Sequence, residues 1–387
     1  MSSSAESGRE RLLVGAMSGT SADGVDAALV AVTGRGAAMS ARLLAHRHRP
    51  YDEPLRRTIF SMRAGDAAVR LAHLARCCRE ISTCYADAVN EVLAAAGAAP
   101  RDVSAVAAHG QTLYHAPPDT MQLLDPSLIA AATGCPVVSD FRRADCAAGG
   151  QGAPLVPFAD YVLFRHPRKT RTLLNIGGIA NVAHLRAGAP LEELVAFDTG
   201  PGNCVSDHLV RAARPDGPGV DVNGDIAARG VPVFPLLQRM LADEYFSRPP
   251  PKSTDGPAMT GVFLRALRDE GRNFPFENLL RTACALTATT IVDAVRTFLD
   301  PFPDELIVSG GGVRNATMMA LLRQPLGDLP VRTTEELGVP TDAKEAIAFA
   351  LLGAATLDSL PSNVPSATGA RRAVVLGSVT PRPSAEG

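Results

Sequence analysis

Asp198 closes an apolar run, Leu194 to Phe197, and opens the turn Thr199-Gly-Pro-Gly-Asn203. A carboxylate fixed at a strand end and partly withdrawn from water has what a general base requires. The same context also suits an aspartate that bonds its own turn. A second polar group lies in Gly15 to Val32. Apolar residues Leu12 to Val14 lead into Ser18, Gly19, Thr20 and Ser21, then Asp23, Gly24 and Asp26, and Val25 to Val32 is apolar again. This pattern predicts strand, turn, strand. A turn rich in Gly, Ser and Thr points N–H and hydroxyl groups one way, which suits a phosphate. The adjoining carboxylates would repel it unless Mg²⁺ lay between them. A hairpin with a polar loop is the plain alternative.

Two further stretches carry candidate binding groups. Val103 to Ala108 predicts a short buried strand that delivers His109-Gly-Gln-Thr-Leu-Tyr-His115 at its C-terminal end, where open α/β sheets gather ligand groups. His109, Gln111, Thr112 and His115 are sugar or acid binders on that reading, or parts of a hydrogen-bonded turn. Ser139 to Pro157 is dense in polar groups: Asp140, Arg142, Arg143 and Asp145, then Gly149, Gly150 and Gly152 around Gln151. Such a segment reads as outside the core. Its carboxylate, guanidinium and amide groups suit a polyhydroxylated ligand, with arginine for a carboxylate; a loop tied by Asp–Arg pairs is the alternative.

The remaining elements position these groups. Met39 to His48 predicts a strand with Arg42 and His46 facing solvent. Leu71 to Ala96 has helical periodicity and stops at Gly97. Asp125 to Thr133 predicts a helix and Pro136 to Ser139 a strand. After a linker at Pro167 to Thr170, Leu173-Leu-Asn-Ile-Gly-Gly-Ile-Ala-Asn-Val-Ala-His-Leu185 repeats the form of the first hairpin, which points to internal duplication. Val205 to Ala213 and Leu279 to Leu299 predict helices. Glu305 to Asn315 reads as strand, triple-glycine turn (Gly310, Gly311, Gly312) and helix start, where a ligand can approach the backbone. Asp342-Ala-Lys-Glu345 opens a last helix to about Leu357. Glu345 there either forms a capping box with Asp342 or faces a ligand. Ala373 to Val379 predicts a returning strand.

Composition narrows the class. The chain has 387 residues, 46% hydrophobic and 20% charged, enough for two globular domains. A net charge of −2 gives no electrostatic argument for nucleic acid or an anionic membrane. Cys77, Cys78, Cys84, Cys135, Cys146, Cys204 and Cys284 form no C-x-x-C pair, so neither a zinc site nor a redox dithiol is expected. Met1 to Glu10 is polar without a hydrophobic signal core, and the longest apolar run, Ala346 to Leu357, is too short to span a bilayer. The expectation is a cytoplasmic protein. No Gly-Lys pair exists, which excludes a P-loop.

Two glycine-rich hairpins, each opening an α/β half, and a later triple-glycine turn resemble the sugar kinase, Hsp70 and actin superfamily. Met17-Ser-Gly-Thr-Ser-Ala-Asp-Gly-Val-Asp26, His109-Gly-Gln-Thr112, Asp140-Phe-Arg142, Gly149-Gly-Gln-Gly-Ala-Pro-Leu-Val-Pro157, Asn175-Ile-Gly-Gly-Ile-Ala-Asn181, Phe197-Asp-Thr-Gly-Pro-Gly-Asn203 and Val308-Ser-Gly-Gly-Gly312 together resemble the anhydro-N-acetylmuramic acid kinase family. One departure is visible: after Pro250-Pro-Lys-Ser-Thr254 that family continues Gly-Arg-Glu, and this chain reads Asp255-Gly-Pro-Ala-Met259. The resemblance implies an α/β fold of two duplicated actin/hexokinase-like (ribonuclease H-like) domains with an interdomain cleft. The first would span residues 1–165, with the strand near 373–379 returning to it, and the second residues 166–372. It implies ATP and Mg²⁺ as cofactors, with Asp23 on the metal. It also implies a small-molecule sugar substrate, no nucleic-acid or membrane partner, and a homodimer. Asp198 would activate water against C1 of 1,6-anhydro-N-acetylmuramic acid while O6 takes the γ-phosphoryl group. Gly19, Thr20, Ser21, Ala22, Asp23, Gly24, Val25, Asp26, Gly177, Gly178, Gly310, Gly311, Gly312 and Asn315 would bind nucleotide. His109, Gln111, Thr112, Asp140, Arg142, Gln151 and Glu345 would bind sugar. Two other readings remain: a sugar or acetate-type kinase that phosphorylates a free hydroxyl, and a non-catalytic actin-like nucleotide switch.

Overall fold

A computed structural model describes residues 9–64 and 69–383. The polar segment Met1 to Glu10 therefore falls outside the described residues up to position 8. The chain divides into two compact units, one of residues up to 164 together with those from 342 onward, the other of residues 165–341.

In the first unit, β1 (Arg11–Ser18), β2 (Gly24–Thr33) and β3 (Ser40–Pro50) form an antiparallel meander, and β4 (Val103–Ala116) and β6 (Val137–Ser139) continue the sheet in parallel from β1. β5 (Asp119–Leu123) folds back on the end of β4. In the second unit, β7 (Arg171–Ile176), β8 (Ile179–Leu185) and β9 (Val195–Pro201) form the meander. β10 (Glu305–Ser309) and β11 (Val331–Thr333) continue it in parallel from β7. Numbered within each unit, setting β5 aside, both sheets run 3-2-1-4-5 with the same parallel and antiparallel neighbours. That repetition is the duplicated actin/hexokinase-like arrangement. β12 (Ser378–Thr380) adds antiparallel to β6; of the strand expected over Ala373 to Val379, residues 373–377 are not in strand.

The helices follow their sequence signals. Leu71–Ala96 buries Cys77, Ile81, Tyr85, Val89 and Val92 on one face and ends at Gly97, whose φ of 63° is the left-handed cap glycine supplies cheaply. Pro126–Thr133 starts behind Asp125, whose carboxylate accepts from the Ser127 and Leu128 N–H groups. Asp125→Ala should cost about 1 kcal/mol in denaturant unfolding, the usual loss for an N-cap.

The boundary expected near 372 lies instead at 341/342. Helix Lys344–Leu357 lies against β1, β2 and β4, because glycines let its backbone descend onto the sheet. A Cβ at Gly15 would meet the Ala346 carbonyl oxygen at 1.8 Å, and one at Gly353 would meet the Ala107 Cβ at 2.5 Å. The helix's apolar run thus belongs to the first core. Two more expectations change. β4 runs on through His115, so His109 to His115 continue the strand and enter the hairpin with β5. Within Ser139 to Pro157, Arg143–Ala147 is helical, and Asp145 is fully buried although the segment reads as outside the core.

Candidate functional site

In the second unit, Asp198 lies within β9, opposite Asn181 of β8, and not at the strand end. The side chain is half-buried. Its Oδ2 accepts from the Thr254 N–H at 2.9 Å. Its own N–H donates to the Lys252 carbonyl at 3.1 Å, and its carbonyl accepts from the Tyr245 hydroxyl at 2.8 Å. Among the described residues Oδ1 has no protein partner. Burial pushes the carboxyl up to about 6, and the Thr254 N–H opposes that rise. A carboxylate anchored by one oxygen and open at the other is built to receive a proton. A general base works ionised, so if Asp198 fills that role kcat/KM should fall as pH drops through about 6, not through the ordinary aspartate range near 4; a pH–rate profile checks this.

The glycine-rich turn between β7 and β8 is held from behind. The N–H groups of Gly202 and Cys204 donate to the Gly178 carbonyl at 3.0 Å, and that of Asn203 to the Gly177 carbonyl at 2.8 Å. Gly178 is exposed with nothing near its missing Cβ. In Gly310 to Gly312 the close approach is not to open space. A Cβ at Gly310 would meet Asn175 Oδ1 at 2.7 Å, and one at Gly312 the Ile176 Cγ2 at 2.3 Å. These glycines seat the loop on the end of β7 and leave Gly311 exposed. Asn315, expected on nucleotide, is buried as the N-cap of helix Ala316–Leu326. Its Oδ1 accepts from the Met318 N–H at 2.9 Å, and its Nδ2 donates to Cys284 Sγ.

In the first unit, the β1–β2 turn exposes Thr20, Ser21 and Asp23, while Ala22 and Val25 are buried. Gln111, expected on sugar, is fully buried and organises this turn. Its Oε1 accepts from Ser18 Oγ at 2.7 Å, and its Nε2 donates to the Gly19 carbonyl at 3.1 Å. Asp23 Oδ1 accepts from Ser21 Oγ at 3.0 Å. Asp26 Oδ1 meets His46 Nε2 at 2.9 Å and His48 Nδ1 at 3.2 Å, so His46 does not simply face solvent. Sequence reasoning missed both imidazoles because cross-strand register is not written in spacing.

Arg142 Nε donates to His109 Nε2 at 2.9 Å, and its Nη1 donates to the Gly152 carbonyl at 2.7 Å. His109 is buried against Phe349, and its Nδ1 has no hydrogen-bond partner among the described residues. Burial and the adjacent guanidinium hold its pKa well below the usual imidazole range, so it stays neutral and accepts from Arg142. His109 thus supports the arginine through Nε2. Thr112 Oγ1 accepts from Gln122 Nε2 at 3.4 Å, and Gln151 is exposed. Asp140 pairs with Arg143 at 3.4 Å, and burial pushes its carboxyl up. Glu345 caps nothing, since Ala343 occupies the N-cap without a side-chain bond. Water reaches Glu345, yet protein packs round it. Desolvation raises its pKa, the nearby Lys344 and Arg142 oppose the rise, and Asp26 and Asp23 add to it.

No group of three or more His, Cys, Asp or Glu side chains among the described residues could by itself hold a metal. Asp23 and Asp26 beside a turn of hydroxyls and N–H groups nevertheless fit Mg²⁺ carried on a phosphate, since that ion is held by one or two carboxylates plus substrate oxygens. All seven cysteines are free. No described helix is long and apolar enough to cross a membrane.

The repeated 3-2-1-4-5 sheets define the duplicated actin/hexokinase-like class of fold, on which a phosphate-suited turn and a desolvated carboxylate are carried. The family model described as anhydro-N-acetylmuramic acid kinase matches residues 11–382. The chain belongs to that family. Relatives bearing the same name include one from Caldanaerobacter subterraneus subsp. tengcongensis, 38% identical over 96% of this chain and 97% of its own. Others come from Gloeobacter violaceus (41%, covering 96% and 98%) and Salinibacter ruber (42%, covering 96% and 96%). Among solved structures, a ROK family glucokinase from Streptomyces griseus in complex with glucose and AMPPNP is similar at a TM-score of 0.35 and 13% identity over 88% of this chain and 98% of that one. That distant likeness carries no weight beside the strand order.

Proposed function

We propose that this chain is an ATP-dependent kinase of cell-wall recycling that converts 1,6-anhydro-N-acetylmuramic acid, ATP and water to N-acetylmuramic acid 6-phosphate and ADP. Family membership supports the substrate and the transfer. The observation that carries the mechanism is Asp198, with Oδ2 fixed by the Thr254 N–H and Oδ1 open.

The sugar's bridge joins C1 to O6. A glycosidase would protonate the departing oxygen with a second carboxylic acid. Here Asp198 takes a proton from water as its oxygen bonds to C1, and the C1–O6 bond breaks. O6 then bonds to the γ-phosphorus, ADP departs, and Asp198 returns its proton to solvent. One base suffices because phosphoryl capture replaces the general acid. The exposed turn at Thr20 to Asp23 receives the phosphoryl group, since transfer depends on positioning and electrostatics. Asp23 and Asp26 would hold Mg²⁺ together with phosphate oxygens, and the ion would supply neutralisation of phosphate charge. Arg142, backed by His109, offers a guanidinium to the sugar's carboxylate, and Glu345 and Asp140 offer carboxylates to its hydroxyls. A cytoplasmic location and a homodimer are part of this reading; sedimentation velocity checks the latter.

A coupled ADP-release assay tests the substrate. The anhydro sugar should support turnover, and glucose, N-acetylglucosamine and acetate should not. Turnover on glucose or acetate with none on the anhydro sugar would replace this reading with a plain kinase.

A further inference from the structure

The chain carries three lysines against thirty-five arginines. A position that keeps lysine in such a background invites a physical reason. Lys252 is buried, and among the described residues no carboxylate pairs with it. Its ammonium donates to the carbonyls of Tyr245 at 3.2 Å and Phe246 at 3.1 Å. It lies 4.7 Å from the ring centroid of Phe298, 5.0 Å from that of Tyr245 and 5.9 Å from that of Phe197. A buried charge is costly unless bonded, and an aromatic cage with two carbonyls is a recognised way to hold a compact ammonium. A planar, branched guanidinium matches that cage poorly.

The cage is joined to Asp198 on both sides. Lys252's own carbonyl accepts from the Asp198 N–H, and two residues on, the Thr254 N–H holds Oδ2. Tyr245, whose ring and carbonyl face the ammonium, donates its hydroxyl to the Asp198 carbonyl. We propose that Lys252 is a positioning residue for the general base: its caged ammonium locks the segment from Pro249 to Asp255 against β9, so that the Thr254 N–H stays on one oxygen of Asp198 and the other stays open. The inference rests on Asp198 being the base.

Loss of the ammonium should let the segment drift and weaken the Thr254 bond. That bond opposes the rise in the Asp198 pKa, so its loss moves the acid limb of kcat/KM upward. Among the described residues, the other ionisable groups that bear on this region are the Tyr245 phenol and the Arg248 guanidinium, which lies 6.0 Å from the Tyr245 ring. Burial raises the phenol well out of the neutral range.

The test compares wild type, K252M, K252Q and D198N by kcat, KM for ATP and pH profile, using the anhydro sugar. K252M should lose kcat by about a hundredfold, as expected for a reacting group displaced by about an ångström. Its KM for ATP should be unchanged and its acid limb should lie above about 6. K252Q keeps two N–H donors for the carbonyls and should lose less. Should K252M not accumulate as folded protein, the acid limb of K252Q decides alone. Folded K252M with wild-type kcat and limb overturns the proposal. So does a loss of kcat with an unmoved limb, the mark of a merely structural role. Turnover by D198N would instead refute the reading of the base, so the two failures are distinguishable.

Discussion

Asp198→Asn is expected to lower turnover by about 10²–10⁴-fold, the usual contribution of a general base, while ATP affinity stays near wild type. The amide can still accept from the Thr254 N–H with its oxygen, so the segment that brackets β9 keeps its anchor. What is lost is the acceptor for water's proton. Stability should move the other way. The folded-state pKa of Asp198 lies above its unfolded value, so its contribution favours folding below about 4 and is lost as pH rises through about 6. At pH 8 wild type holds a desolvated carboxylate that the variant lacks, and the variant should melt no lower. Steady-state kinetics, nucleotide titration and thermal unfolding on one preparation check all of this. Near-wild-type turnover would remove Asp198 from the mechanism.

Gly15→Ala should be the most damaging single methyl in the chain. The added carbon would stand 1.8 Å from the Ala346 carbonyl oxygen and 2.6 Å from the Ala350 nitrogen. Both are backbone atoms of helix Lys344–Leu357, which has no rotamer to change. Relief requires lifting a helix whose residues Ala346 to Thr356 are all buried. Overpacking of this kind costs at least about 4 kcal/mol, above the common range for point substitutions. Gly178→Ala meets nothing within 4 Å and should shift stability by no more than about 0.5 kcal/mol. Chemical denaturation of the pair gives the comparison. Equal stabilities would mean that the helix does not rest on β1 as described.

Much of the scaffold was legible because its signals are local. The hairpin at Gly177 and Gly178, the helix stop at Gly97 and the cap at Asp125 each follow from backbone preferences over a few residues. The duplication was legible because both hairpins repeat one pattern. What escaped depends on partners distant in sequence. Helix Lys344–Leu357 joins the first core because glycines on both surfaces permit it, and neither glycine is informative alone. Gln111 looked like a ligand group until its amide met Ser18 and Gly19, some ninety positions earlier. Asn315 looked like part of a glycine loop and is a helix cap. Asp145 sat in a stretch too polar to read as core, yet Asn363, Thr368 and the Gly152 N–H surround its carboxylate with donors. Lys252 stands in the Pro250-Pro-Lys-Ser-Thr254 stretch of a chain poor in lysine, and neither fact alone names a role.

On the proposed mechanism water, not a sugar hydroxyl, meets C1 while nucleotide captures O6. Single-turnover reaction of the anhydro sugar with ATP in ¹⁸O-enriched water, followed at once by mass analysis with the anomeric position distinguished, tests it most directly. One solvent-derived oxygen is expected at C1 of the 6-phosphate and none in the bridge between C6 and phosphorus. Solvent label absent from C1, or present in that bridge, would contradict it.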